Sequence, residues 1–466
     1  MNYTSSTFFL FFIAVFTLYY VARNKNTQVF ILIGSSLFFY AYESPQLLLV
    51  FLSSWLVTSS TAFAVRSSTL HNRKKWYASG GVAANLALLA FFKYKFLFLE
   101  PAHFNPAGHS DVGTWLILAP LPIGISFYTF HGISLLVDTF RKSAATGESR
   151  SMPHFFANTL LYLVFFPQLV AGPIIKAKEF YPQVKAKKMA EIDFNSVFKT
   201  LITGYFLKTV IADNLSEQTF WIAYPYFQWK SPMDLIVLLY GYSFQIFADF
   251  AGYSLIAIGL AQLLGYKLPD NFNFPYLSSS LAEFWRKWHI SLSSFLRDYL
   301  YIPLGGNKKG ELRTYVNLLI VMFLGGLWHG AAWSFAIWGL WHGIGLALER
   351  PLSQSKLFLS RHILIVAIRI IAVFTFVTLG WLLFKLQNFS EAWLYLTKLF
   401  HNEQPGVSKG ALLLIAIYGF PVVAYHLLNL LRDRLGTTLK QVLYGVMLFL
   451  ILTNPGPAKS FIYFQF

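Results

Sequence analysis

Two histidines carry most of the chemistry that this chain offers. His329 lies in Leu324-Gly-Gly-Leu-Trp-His-Gly-Ala-Ala-Trp333, among apolar and small residues. A fully charged side chain inside such a segment costs about 2.5–3.5 kcal/mol on insertion scales, so an ionisable group there marks a functional position. The neutral imidazole costs less, and its free pKa of about 6.5 lets it take a proton near neutrality. A hydroxyl needs such an acceptor before it can attack a thioester carbonyl. Gly325, Gly326 and Gly330 are expected to let a substrate approach the backbone closely. The competing reading is a helix-packing site of small residues whose imidazole is bonded to a carbonyl.

Upstream, Ser280 and Glu283 have the spacing of a capping box, and they open a helix reading Phe284-Trp-Arg-Lys-Trp-His-Ile-Ser-Leu-Ser293. On one continuous helix Trp285, His289 and Leu292 recur at i, i+4 and i+7. Trp288 and Leu296 extend an adjacent stripe, and Arg286, Lys287 and Arg297 supply a basic side. His289 is thus expected on an indole-bearing face, either as a functional group or as a satisfied interfacial side chain. Pro303 and Gly305-Gly306 should end the helix in a turn. A second Trp-His-Gly, at Trp341-His342-Gly343, follows thirteen residues after the first. On one unbroken helix its histidine would sit roughly 140° away from His329, so His342 reads as structural or as a secondary candidate. Asp249, in an apolar run, needs a partner or a proton and is expected to hydrogen-bond for structure, with a catalytic role as the alternative. The chain has no cysteine, which excludes disulfides, thiolate metal sites and a cysteine-borne acyl thioester; no metal site is expected.

The composition says what must hold these groups. Hydrophobic residues make up 56% of the 466 and charged ones 12%, with a mean hydropathy of +0.52. A soluble domain carries about 25% charged residues, so lipid must cover much of this surface and the fold class is an all-α polytopic membrane protein. The aromatic share of 19% suits interfacial girdles and rigid tunnel walls. The net charge of +17 falls in short clusters between apolar segments. That is the positive-inside pattern, and it points to membrane lipid as partner and to no nucleic acid.

Apolar segments near 8–22, 28–42, 46–65, 77–99 and 114–138 approach the length of a crossing. The first lacks a basic n-region and is expected to remain as a membrane helix. Basic loops at Arg23 and Lys25, at Arg66 with Arg73 to Lys75, and at Arg141 alternate with 43–45 and with 100–111, which has no Lys or Arg. Taking basic as cytoplasmic predicts an outward N-terminus. The next run, 155–172, should then exit outside, yet Lys176, Lys178, Lys185, Lys187 and Lys188 follow it. A re-entrant turn around Phe166-Pro167-Gln168 and Ala171-Gly172-Pro173 removes the conflict and implies a protein-lined cavity at membrane depth; the alternative is a short helix with a basic outer loop. Segments near 197–213, 233–265, 314–326, 331–349, 363–385, 410–431 and 441–453 bring the count to about eleven to thirteen helical passages. With no hydrophilic linker and no internal repeat, one membrane domain over 1–466 is expected, its catalytic segment at about 270–345.

Several motifs resemble the membrane-bound O-acyltransferase (MBOAT) family, and within it the bacterial alginate O-acetylation branch. They are Phe166-Pro-Gln-Leu-Val-Ala-Gly-Pro173, Phe247-Ala-Asp-Phe-Ala-Gly-Tyr253, Asn271-Phe-Asn-Phe-Pro275, the Phe284 to Ser293 run, Arg297-Asp-Tyr-Leu-Tyr-Ile-Pro-Leu-Gly-Gly306, Gly325-Gly-Leu-Trp-His-Gly330 and the terminal Phe461-Ile-Tyr-Phe-Gln-Phe466. The resemblance implies a fold with a central tunnel, His329 as the essential histidine and His289 as the second family residue. Trp285, Trp288, Arg297, Asn271 and Trp328 are candidates for binding substrate or donor. It further implies a cytoplasmic donor such as acetyl-CoA or another acyl thioester, no resident cofactor, and a site in the bacterial inner membrane. The implied partners are a periplasmic, esterase-like acetyltransferase and polysaccharide-synthesis machinery. Alginate is the expected acceptor, with cellulose, peptidoglycan or teichoic acid D-alanylation as alternatives, and a non-catalytic permease or flippase as a reading of another class.

Overall fold

The computed structural model describes residues 1–42, 44–98, 112–142, 151–169, 172–401, 407–431, 434–459 and 461–462. Glu43, the 100–111 loop, Ala171 of the expected turn and the last four residues of the terminal motif lie outside the described residues. Every regular element among the described residues is helical. Among the described residues five helices are long and apolar enough to cross a membrane: Leu47–Ser67, Pro232–Leu263, Glu311–His329, Ile363–Lys385 and Lys409–Leu430. They differ in what covers them. The most apolar window of Pro232–Leu263 is 83% buried inside the protein, whereas that of Ile363–Lys385 is 17% buried and leaves Ile363, Leu364, Ile368 and Ile371 exposed. A contiguous apolar face of that kind belongs against lipid.

The described chain divides into two compact units, Met1–Val197 with Ala257–Pro269, and Phe198–Ile256 with Asp270–Phe466. We propose that both belong to one membrane domain, the economical reading of a chain without a hydrophilic linker.

In the first unit the helix Met152–Val164 stops at Phe165, and a four-residue helix, Phe166–Leu169, follows. The backbone groups freed by the break are taken up by protein. Phe166 N–H donates to Ser36 Oγ at 3.2 Å, Tyr3 donates to the Phe166 carbonyl at 2.7 Å, and the Gln168 amide donates to the Tyr162 carbonyl at 2.7 Å. Tyr162 in turn donates to the carbonyl of Ile175 at 2.8 Å, which ties the chain beyond the break to the helix before it. Such satisfaction is what a broken helix requires where water is absent.

In the second unit Glu311–His329 and Trp333–Leu352 form a helical hairpin, with Gly330 extended between them. The glycines do a different job from the one expected. A Cβ on Gly326 would lie 2.2 Å from the Phe335 carbonyl, one on Gly339 2.2 Å from that of Met322, and one on Gly330 2.2 Å from the Phe335 ring. Gly326 and Gly339 therefore permit backbone contact between the two helices, and Gly330 makes room for the Phe335 ring; the space at Gly326 and Gly330 is filled by protein, not left for the approach of a substrate. Gly325 is looser, a Cβ there meeting Leu296 at 3.2 Å.

Asp249 has the partner it needs. Lys208 Nζ lies 2.7 Å from both Asp249 Oδ1 and Asp213 Oδ1, with all three side chains at or below 5% exposure. Lys208 projects from a π-helical turn, Phe206–Ala212. It also donates to the Lys459 carbonyl at 3.2 Å, while Asp249 Oδ2 accepts the Ile462 N–H at 2.8 Å. Replacing Lys208 by Met would leave two buried carboxylates uncompensated, a loss of about 3–5 kcal/mol. Lys208→Met is thus expected to melt well below wild type or to fail as a monodisperse species in detergent, and Asp249→Asn, which keeps an acceptor for Ile462, to lose less.

Candidate active site

The expected continuous helix over the Phe284 to Ser293 run is broken at the candidate histidine. Leu281–Lys287 and Ile290–Leu296 are separate helices; Trp288 is extended, and His289 takes φ 43° and ψ 54° in the left-handed region. A non-glycine residue there is strained by about 1–2 kcal/mol, and persists where surrounding bonds enforce it. Here they come from the Asn271-Phe-Asn-Phe-Pro275 segment. The Asn271 carbonyl accepts the Ile290 N–H at 2.9 Å, and the Asn273 N–H donates to the Lys287 carbonyl at 2.9 Å. These bonds replace helical ones, so the i, i+4, i+7 face does not form. The capping expectation holds in part. Ser280 Oγ accepts the Glu283 N–H at 3.0 Å, while the Glu283 carboxylate reaches the Ser279 N–H at 2.8 Å.

Asn271 also sets the ring of His289. Its Oδ1 lies 3.0 Å from His289 Nδ1 and accepts from Ser291 Oγ at 2.8 Å, while its Nδ2 donates to Ser254 Oγ at 3.1 Å. An amide oxygen has no proton to give, so Nδ1 is the protonated nitrogen and Nε2 carries the lone pair. Phe250 packs edge-to-face on the imidazole at 4.7 Å. The ring is 1% exposed, and burial lowers its pKa from 6.5 to about 3, so it is neutral at physiological pH.

His329 is the last residue of Glu311–His329 and is 5% exposed. Its ring is enclosed by Trp328 at 4.9 Å, Trp338 at 5.2 Å and Phe384 at 4.9 Å. Trp328 also faces His289, at 6.0 Å. One indole therefore stands against both histidines, and the fold gathers Asn271, His289, Trp328 and His329 into one aromatic enclosure.

The profile of the MBOAT, membrane-bound O-acyltransferase family, matches residues 6–389. The chain belongs to the membrane-bound O-acyltransferase family. Among its relatives, the probable alginate O-acetylase AlgI of Pseudomonas aeruginosa is 35% identical over 408 residues, covering 84% of this chain and 74% of the relative. The peptidoglycan O-acetyltransferase of Helicobacter pylori is 35% identical over 409 residues, covering 82% and 75%. The teichoic acid D-alanyltransferase of Bacillus subtilis is 29% identical over 233 residues, covering 48% and 57%. The protein is thus a multi-pass membrane O-acyltransferase.

The other candidate residues of this acyltransferase are placed unequally. Trp288 packs into a wall against Trp381 at 4.8 Å and Phe272 at 5.0 Å. Trp285 lies against Trp338 at 5.7 Å and His342 at 5.1 Å. The hairpin break at Gly330 removes the angular objection to His342, whose ring flanks Trp338 at 4.9 Å. Arg297, on the π-helical turn Arg297–Tyr301, is 63% exposed with its Nε donating to Asp298 at 2.8 Å. Sequence reasoning missed Trp338, Phe384 and Phe250. It also missed Glu349, whose carboxylate accepts the N–H groups of Leu281 and Ala282 at the start of the first short helix.

Asn tolerates the left-handed region, so His289→Asn is expected to fold as wild type does while acyl transfer falls. Asn271→Leu, which releases the ring, should lower transfer roughly tenfold, the value of one buried hydrogen bond. Both are read from esterified acetate on the polymer at matched protein levels. A folded His289 stays neutral down to about pH 3, whereas a freed imidazole takes a proton near 6.5. Stability from this group is therefore lost as pH falls below 6.5. The drop in melting temperature from pH 7 to pH 5 should be smaller in His289→Asn than in wild type.

Proposed function

We propose that the protein transfers an acyl group, acetyl by preference, from a cytoplasmic thioester such as acetyl-CoA to a hydroxyl on the outer side of the bacterial inner membrane. His329 is the general base that takes the hydroxyl proton as the oxygen attacks the thioester carbonyl; the C–O bond forms, the C–S bond breaks, and the imidazolium returns the proton to the departing thiolate. Of the two roles open to His289, orienting the donor or stabilising the carbonyl oxygen, its tautomer favours the first. Nε2 accepts a hydrogen bond, whereas a developing oxyanion needs a donor. Trp328 holds the two imidazoles in register, and the exposed Arg297 meets phosphate on a coenzyme A donor. The observation that carries this reading is the pair of buried imidazoles held against one indole. A tunnel reaching His329 from both aqueous phases, and an outward N-terminus, complete the proposal.

The acceptor is an extracytoplasmic polysaccharide such as alginate, as the name of the Pseudomonas relative suggests. Peptidoglycan is the second reading, because the Helicobacter relative is equally similar. A periplasmic, esterase-like acetyltransferase working with the synthesis machinery is the proposed partner, and transfer to its hydroxyl before the sugar would use the same base. General-base catalysis contributes about 10² to 10⁴ in rate. His329→Ala is accordingly expected to remove at least 99% of base-labile acetate from the envelope polymer, as roughly a hundredfold loss requires, with membrane protein levels unchanged. Wild-type acetate in that variant would refute the assignment.

A further inference from the structure

Trp338, which packs on His329, also touches a second group of buried polar atoms. His342 is fully buried and Trp338 is 2% exposed. Neither ring nitrogen of His342 has a hydrogen-bond partner among the described residues, and the same holds for the indole nitrogens of Trp285 and Trp338. The three rings meet pairwise, Trp285 with His342 at 5.1 Å, Trp338 with His342 at 4.9 Å and Trp285 with Trp338 at 5.7 Å. Each such nitrogen, buried without a bond, costs about 1–3 kcal/mol, and native interiors hold few of them. Trp341, on the same helix, shows the ordinary solution: its indole donates to the Phe376 carbonyl at 3.1 Å.

The surroundings of His342 are apolar. Phe284 lies parallel to the imidazole at 6.2 Å and Phe376 edge-on at 5.7 Å. Opposite Nε2 the Ile363–Lys385 helix presents Gly380, where a Cβ would sit 3.2 Å from that nitrogen. The helix thus packs closely against this polar atom without offering it a hydrogen-bonding side chain.

We propose that Trp285, Trp338 and His342 form a second polar subsite, which binds an amide in the thioester arm of the acyl donor. Indole N–H groups only donate, so the ligand must offer an acceptor oxygen; a neutral imidazole has one donor and one acceptor, so it can also meet an N–H. An amide presents both. Trp338 touches His329 as well, at 5.2 Å, which places the subsite one ring away from the base. In a thioester built on cysteamine, the amide follows the sulfur after two methylene groups. The inference rests on an acyl thioester being the donor, and it makes His342 a positioning residue.

The test compares acetyl transfer to endogenous polymer, in membranes carrying the protein, from S-acetyl-N-acetylcysteamine and from its amide-free isostere S-pentyl thioacetate. Wild type is expected to favour the amide donor about tenfold in kcat/KM, the size of one hydrogen bond, with the difference in KM. His342→Leu and Trp285→Phe should each shrink that preference to about twofold or less, and His342→Gln, which can still pair with an amide, should keep part of it. An equal loss with both donors would make the cluster a packing feature and overturn the subsite. Equal use of both donors by wild type would overturn it too, leaving these nitrogens to bound water while the thioester reading survives. If wild type accepts neither thioester, the donor reading falls and the subsite with it.

Discussion

The hydrogen bonds from one asparagine to a broken helix hold the site together. Asn271 receives the Ile290 N–H on its carbonyl and His289 and Ser291 on its side chain, so backbone course and ring orientation are set by the same residue. In an interior without water, a helix breaks only where protein replaces the lost bonds. Here the replacement also chooses the tautomer. The strained φ at His289 is thereby enforced, and the imidazole emerges from a junction that a regular helix would not provide.

Around that junction the enclosure is almost wholly aromatic, and its effect is electrostatic as much as steric. Removed from water, the His289 imidazole stays neutral, which keeps the lone pair on Nε2 free to accept a hydrogen bond. The same low polarity strengthens any interaction with a developing charge. The ring packing among Trp328, Trp338 and Phe384 leaves His329 little freedom, so orientation is settled before substrate arrives.

What could be read from the sequence follows from how local the cause is. The membrane class rests on composition, and the boundaries expected at 363–385 and 410–431 fall within a residue of Ile363–Lys385 and Lys409–Leu430, because length and hydropathy are local. The Ser280 cap was legible for the same reason. The break at His289 was not, since 3.6-residue periodicity gives no sign of Asn271 pairing from eighteen positions away. The Gly326 and Gly339 contact, and the partner of Asp249, which lies 41 positions back at Lys208, likewise depend on which elements meet. Sequence showed that these residues were unusual for their surroundings, and tertiary structure assigned the use.

The anchoring of the tail has a consequence for how the protein is made. Gly456 donates to the Thr209 carbonyl, Lys459 accepts from Lys208, and Ile462 donates to Asp249, yet these three are synthesised after the helix Thr437–Thr453. Until they emerge from the ribosome, the charged cluster that they close remains partly open. The Lys208 cluster therefore reaches its full set of bonds only once the segment after Thr437–Thr453 has docked, which makes its closure a late step of assembly.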